Sequence, residues 1–140
     1  MFDNVLLAVD GSEHALHASR VASDLIKAMN AKILRIVVAY DPIPSYLGEP
    51  HLQAAINARL AEAEKILQKA VEAVGETSVE VHSELMEGSP AEVILEVAQT
   101  RKSDLIIMGS RGLGRLSGLM LGSTSQKVVS HAPCPVLIVR

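Results

Sequence analysis

The sequence predicts an α/β fold: one open sheet of five parallel strands in the order 3-2-1-4-5, with helices on both faces. Two observations lead to this prediction. Short apolar runs alternate with longer segments in which apolar residues recur at helical spacing, and parallel strands need such helical crossovers. The second apolar run is apolar almost throughout, whereas the third alternates with polar residues. Because 140 residues is the length of one ordinary domain, we expect residues 1–140 to form a single domain.

The first half of the chain contains three predicted strands and two predicted helices. The strands are expected at Asn4–Val9, Ile33–Ala39 and Ser78–Leu85. Ser12 suits the N-cap of the first helix, which ends at Asn30, and the second helix has apolar positions from Ile56 to Val74 before Gly75 closes it. Tyr40–Pro50 carries three prolines and a glycine, so we expect an irregular excursion there and interpret it as a candidate lid.

The second half continues the alternation. Ser89, Pro90 and Glu92 have the N-cap, first-turn proline and acidic third position of a helix start. Leu105–Met108 is an apolar run too short for a helix and is the predicted fourth strand. A short helix from about Ser123 to His131 and a fifth strand at Val136–Val139 complete the pattern.

The strand order follows from the difference between the second and third strands. Two orders are common in such sheets, 2-1-3-4-5 and 3-2-1-4-5, and the first would bury the third strand inside the sheet. The alternating third strand is the better edge, which favours 3-2-1-4-5. In that order the first and fourth strands are neighbours where the winding reverses, and ligands bind at the carboxyl ends of such strands. Asp10-Gly11 and Gly109-Ser110 are the residues expected there.

Composition argues against several classes of partner. With a formal net charge of −3 and 2% aromatic residues, the chain lacks the basic patch and stacking platform of a nucleic-acid binder. The single cysteine, Cys134, leaves no internal disulfide, and its flanking prolines favour a packed residue over a nucleophile. We find neither a secretory leader pattern nor an apolar run of membrane-spanning length. We therefore expect a cytoplasmic protein with no nucleic-acid or membrane partner.

The stretch Gly109–Ser125 has the composition of a phosphate-binding loop. It holds five glycines and two arginines directly after an apolar strand. Ser123 and Gln126 form a capping-box pattern, so the loop is expected to lead into a helix N-terminus, whose free N–H groups and partial positive charge suit a phosphate. A merely flexible connection has a similar composition, and neither a Walker loop nor a complete GxGxxG motif is present.

The glycines instead follow the spacing Gly109-x2-Gly112-x9-Gly122-Ser123, which is typical of the ATP-binding branch of the universal stress protein family. Four further blocks resemble that family: LLAVDGSEHA (6–15), EGSPAEVILEVA (87–98), DLIIMGSRGLG (104–114) and HAPCPVLIVR (131–140). The resemblance spans essentially the whole chain. It implies a Rossmann-like fold of the adenine nucleotide alpha hydrolase type that binds ATP or another adenine nucleotide.

Ten residues are the resulting candidates for nucleotide binding. They are Ala8, Asp10, Ala39, Met108, Gly109, Arg111, Gly112, Gly122, Ser123 and Thr124. The resemblance implies that Asp10 contacts the nucleotide and that the strand end at Ala39 meets the adenine edge. Asp10 can also cap the first helix, Met108 is equally well explained as core, and Arg111 and Arg115 either offset phosphate charge or are solvated.

No catalytic residue or protein-derived metal site is predicted. The five histidines form no metal-ligand pattern and are interpreted as surface residues, so a magnesium or manganese ion is expected only if the phosphates bring it. The uncharged apolar strand Val136–Val139 would be an open edge, which favours a homodimer, as the resemblance also implies. Three functions stay open: an ATP-binding module in stress response or nucleotide-dependent signalling, an enzyme that hydrolyses ATP slowly, and an interaction dimer that needs no nucleotide.

Overall fold

The computed structural model describes residues 1–110 and 121–140. Within them, strands and helices alternate along the chain. The elements are β1 (Asn4–Val9), α1 (Glu13–Ala28), β2 (Ile33–Tyr40), a 3-10 turn (Ser45–Leu47), α2 (His51–Val74), β3 (Glu80–Glu87), α3 (Pro90–Thr100), β4 (Leu105–Gly109), α4 (Ser123–His131) and β5 (Val136–Val139).

The five strands form one sheet in the order β3-β2-β1-β4-β5. Every neighbouring pair is parallel, which confirms the predicted fold class and strand order. β1 is central, and Ala8 pairs with Val37 on one side and with Met108 on the other. The carboxyl ends of β1, β2 and β4 therefore lie together at one edge of the sheet.

Helices cover both faces of the sheet and produce two hydrophobic cores. Alternate residues of β1 point to opposite sides: Val5, Leu7 and Val9 pack with α1 and α2, whereas Leu6 and Ala8 pack with α3 and α4. This arrangement explains why β1 is apolar without interruption, since neither of its faces meets water. It also holds the strand ends in a fixed relation to the helices that begin beside them.

β3 is the predicted edge strand, but its alternation does not give one buried and one wet face. Val81, expected on the inner face, is 37% exposed, and Leu85 is only half-buried. On the other face, Glu84 accepts a 2.7 Å hydrogen bond from the largely buried Arg35 of β2. An edge strand lies beyond the middle of the covering helices, so both of its faces keep partial contact with water.

Three of the predicted helix signals are confirmed. Ser12 caps α1, because its Oγ accepts a 3.1 Å hydrogen bond from the backbone N–H of Ala15. Asn30 has φ 53° just after the helix end, and Gly75 has φ 73° after α2. These left-handed conformations are the ones that asparagine and glycine adopt most readily, so both residues stop a helix as expected.

Candidate functional site

The carboxyl ends of β1, β2 and β4 border a recess in the surface. Its cavity volume is about 70 Å³. Six of the ten predicted residues line it: Ala8, Asp10, Ala39, Met108, Gly109 and Thr124. Gly122 and Ser123 begin α4 beside Thr124. Arg111 and Gly112 lie outside the described residues, as does Arg115.

Asp10 combines a position at the recess with a local structural role. Its Oδ1 accepts a 2.8 Å hydrogen bond from the backbone N–H of Ser12, so the carboxylate supports the start of α1, one of the two roles expected from the sequence. A carboxylate has about four acceptor sites, and this bond occupies one of them. Among the described residues that line the recess, Asp10 is the one that carries a formal charge.

Gly109 ends β4 where the first turn of α1 passes closest to the sheet. A Cβ atom at this position would lie 2.9 Å from His14 Cβ and 3.0 Å from the backbone carbon of His14. A Cβ atom essentially never comes within 3.0 Å of another carbon, and the Cβ and backbone carbon of His14 cannot rotate away. Glycine is therefore required here for the close approach of α1 to β4.

The interpretation of the five histidines as surface residues is wrong for His14. It is half-buried, and its Nδ1 lies 2.6 Å from Oγ of Ser110, the residue that follows β4. His17, His51 and His131 are exposed, as expected, while Nε2 of the half-buried His82 lies 3.1 Å from Oε1 of Glu80. No sequence signal links His14 to Ser110, because 96 residues separate them and the contact depends on the strand order.

The amino end of α4 differs from the predicted capping box. The N-cap is Gly122, not Ser123, and glycine has no side chain with which to cap the helix. Gln126, which the capping box requires to reach back to the N-cap, instead donates a 2.8 Å hydrogen bond from Nε2 to the carbonyl of Leu121. The reason is tertiary: the N–H of Gly122 donates to the carbonyl of Ser110 at 2.8 Å, and this contact fixes where the helix begins.

Ser125 joins the same end of α4 to the end of β4. Its buried Oγ lies 2.9 Å from the carbonyl oxygen of Gly109 and 3.1 Å from that of Ser110. The hydroxyl therefore donates into the β4 terminus and holds α4 against it. In an α-helix the first N–H groups have no intrahelical acceptor and carry partial positive charge, so the uncapped start of α4 can receive an anion at the rim of the recess.

Cys134 lies away from the recess, near the amino ends of β4 and β5, where the N–H of Ile106 donates to the carbonyl of Pro135. Burial raises the pKa of its thiol, and the nearby carboxylate of Asp104 raises it further. A raised pKa keeps the thiol protonated and unreactive, in line with the expected packed residue. In residues 1–110 and 121–140, no group of three or more histidine, cysteine or acidic side chains is arranged to hold a metal. No described helix is both long and apolar enough to cross a bilayer.

A larger groove of about 690 Å³ lies between α1 and α2 and was not predicted from the sequence. It adjoins the recess, since Val9, Asp10 and Ala15 line both. Its other walls mix charges of both signs, among them Glu62, Lys65 and Lys69. The groove therefore has no uniform electrostatic preference of its own.

Comparison with known proteins gives one family. The profile of the universal stress protein family matches residues 1–140. A universal stress protein of Thermus aquaticus is 49% identical over 140 residues, with both chains covered completely. The structure of universal stress protein UspA from Lactobacillus plantarum is 29% identical, with a TM-score of 0.85 over 99% of this chain and 98% of that chain. A universal stress protein solved in complex with cAMP is 30% identical, with a TM-score of 0.69 and coverage of 99% and 97%.

Proposed function

The chain belongs to the universal stress protein family, and on this premise we propose that it binds an adenine nucleotide, ATP in the first place, in the recess at the carboxyl ends of β1, β2 and β4. One observation carries the proposal. The recess and the uncapped amino end of α4 adjoin each other through Thr124, so one surface offers apolar walls for a base and helix N–H groups for a phosphate chain.

The base and ribose would occupy the inner part of the recess. Ala8, Ala39 and Met108 give it apolar walls that suit an adenine ring. The end of β2 at Ala39 supplies the backbone groups that would meet the adenine edge. Asp10 keeps acceptor capacity beyond its bond to Ser12, so its carboxylate could accept hydrogen bonds from ribose hydroxyls.

The phosphates would lie against the start of α4. Ser123 and Thr124 present their backbone N–H groups and hydroxyls there, a combination that favours anions. The N–H of Gly122 already donates to Ser110, so Gly122 would contribute the space that its missing side chain leaves. The spacing of Gly109, Gly112 and Gly122 supports a triphosphate, because it is typical of the ATP-binding branch. Arg111 would add positive charge, and a magnesium or manganese ion would be held mainly by the phosphates. The relative solved with cAMP supports the adenine end of this proposal.

Calorimetric titration with ATP tests the site through Gly122→Val. The backbone at Gly122 has φ −67° and ψ 164°, which any residue adopts. A valine there keeps a permitted backbone conformation, and we expect it to abolish binding by blocking close approach of the phosphates. Ser130→Val, at the exposed carboxyl end of the same helix, is the matched control and should bind like the wild type. Equal ATP affinity in wild type and Gly122→Val would show that the site is misplaced.

We further propose that two copies of the chain pair through β5. β5 is an edge of the sheet, and its residues Val136, Leu137 and Ile138 are uncharged and only half-buried in one chain. An antiparallel partner strand would satisfy the outer row of backbone groups and bury these side chains. Light scattering across a dilution series measures the mass. A strictly monomeric mass at high micromolar concentration would remove the dimer from the proposal.

The role that fits these properties is an ATP-binding module in stress response or nucleotide-dependent signalling. Mass spectrometry of the denatured protein identifies any nucleotide that copurifies. ATP in the sample supports the proposal, whereas an active dimer that never retains or binds nucleotide would favour the interaction-dimer function. The cytoplasmic location stays a prediction from the sequence.

A further inference from the structure

His14 and Ser110 connect the first helix to the junction at which the proposed phosphate site is built. Ser110 is 5% exposed and uses both of its backbone groups: its N–H donates to the carbonyl of Val139 at 2.8 Å, and its carbonyl accepts from the N–H of Gly122 at 2.8 Å. Its side chain turns to Nδ1 of His14 at 2.6 Å. One buried residue thus joins β4, β5, α4 and α1.

The position of His14 is itself tightly constrained. The missing side chain of Gly109 lets the first turn of α1 lie against the end of β4, with about 3 Å between a hypothetical Cβ and His14. This close packing of α1 on β4 constrains the position from which the imidazole of His14 contacts Ser110. The carbonyl of Ser110 in turn accepts a hydrogen bond from the N–H of Gly122, the N-cap of α4, and so fixes where the amino end of this helix lies.

We propose that His14 is a positioning residue for the phosphate end of the nucleotide site: its hydrogen bond to Ser110 holds the β4 terminus in the orientation that aims the amino end of α4 at the phosphates. The inference rests on the proposed function and adds a residue outside the ten predicted ones. His14 does not line the recess. Its loss therefore weakens the contribution of the phosphates to affinity and leaves the contribution of the adenosine part unchanged.

The test compares the affinities for ATP and for adenosine in the same variants by calorimetry. His14→Leu replaces the imidazole with an apolar side chain that cannot form a hydrogen bond with Ser110. His14→Asn keeps a polar atom near the place of Nδ1 and is the conservative rescue. His17→Leu makes the same change one turn further along the same helix, where it removes an exposed histidine contact with the carbonyl of Arg140 instead of the contact with Ser110, and is the matched control.

The ratio of ATP affinity to adenosine affinity is expected to fall about tenfold in His14→Leu, because a buried hydroxyl loses its partner. The ratio should recover in His14→Asn and stay at the wild-type value in His17→Leu. Ser110→Ala should show the same loss as His14→Leu, and the double variant no further loss; this variant decides the matter if His14→Leu does not fold.

Two results overturn the inference. In one, His14→Leu and Ser110→Ala keep the wild-type ratio, which means that the bond only packs the helix. In the other, His14→Asn loses as much as His14→Leu, which assigns the effect to the shape of the ring. A wild type that binds ATP no better than adenosine, or binds neither, refutes the proposed function itself and is recognised before any variant is compared.

Discussion

Two buried serines on α1 differ only in what their hydroxyls bond, and this difference predicts opposite effects of the same substitution. Ser23 is 6% exposed, and its Oγ donates a 2.6 Å hydrogen bond to the carbonyl of Val74, the last residue of α2. Ser19, one turn earlier, is fully buried, and its Oγ donates to the carbonyl of Ala15 at 2.9 Å. We expect Ser23→Ala to destabilise the protein and Ser19→Ala to leave it unchanged or slightly stabilised.

The magnitudes follow from the acceptors. The carbonyl of Val74 is among the last four of α2, which have no intrahelical donor, so losing Ser23 Oγ leaves a buried acceptor unpaired at a cost of about 1–3 kcal/mol. The carbonyl of Ala15 lies inside α1 and keeps its helical N–H partner. Both changes gain about 0.5 kcal/mol of helix propensity. The net expectation is a loss of about 0.5–2.5 kcal/mol for Ser23→Ala and a change between about zero and a gain of about 0.5 kcal/mol for Ser19→Ala.

Urea denaturation of the two variants beside the wild type measures both free energies of unfolding. The midpoint should fall in Ser23→Ala with an unchanged slope, since a changed slope would indicate altered compactness of the unfolded or folded state. The expected loss corresponds to a melting temperature lower by roughly 5 °C in a chain of this size. If the free energies of Ser23→Ala and Ser19→Ala agree within about 0.5 kcal/mol, the bond between α1 and the end of α2 does not contribute as reasoned.

Three further predictions concern the site and the thiol. Gly109→Ala should lower the free energy of unfolding by about 1–3 kcal/mol, because the added methyl group meets the backbone of α1; a calorimetric melting temperature equal to the wild type would contradict the close approach. Cys134 should be alkylated more slowly at pH 8 in the folded protein than in the urea-unfolded chain, because its raised pKa lowers the thiolate fraction; equal rates would refute this. ATP turnover, followed by phosphate release, should be far below the enzyme median of about ten per second; a rate near that value would favour the hydrolase.

The fold was predictable because the pattern of the sequence reflects burial directly. β2 is apolar except for Arg35 because both of its faces are covered, and β3 carries polar residues because it lies at the edge. The same pattern did not place Val81 correctly, because the burial of an edge residue depends on how far the neighbouring helix extends over it. Local sequence has no information about that distance.

The candidate site was predictable to the level of strand ends and was not predictable at its hydrogen bonds. Ala8, Ala39 and Met108 meet at the recess because strand order and strand ends determine their place. α4 covers the predicted residues, but its N-cap is Gly122 rather than Ser123, because the amide of Gly122 bonds Ser110, a contact that the local sequence does not indicate. The partial burial of His14 was not predictable for the same reason, since Ser110 becomes its neighbour only after β4 joins the sheet.

The central position of β1 determines how the chain can fold during its own synthesis. β2 follows β1 closely, but the strand that covers the other edge of β1 begins at Leu105, which pairs with Val5. At a ribosomal rate of about 5–20 residues per second, roughly 5–20 s pass between the emergence of the two strands. During that interval β1 presents an apolar, unpaired edge, the kind of surface that aggregates and that chaperones recognise. Newly made chains, rather than mature ones, are therefore the vulnerable population of this protein.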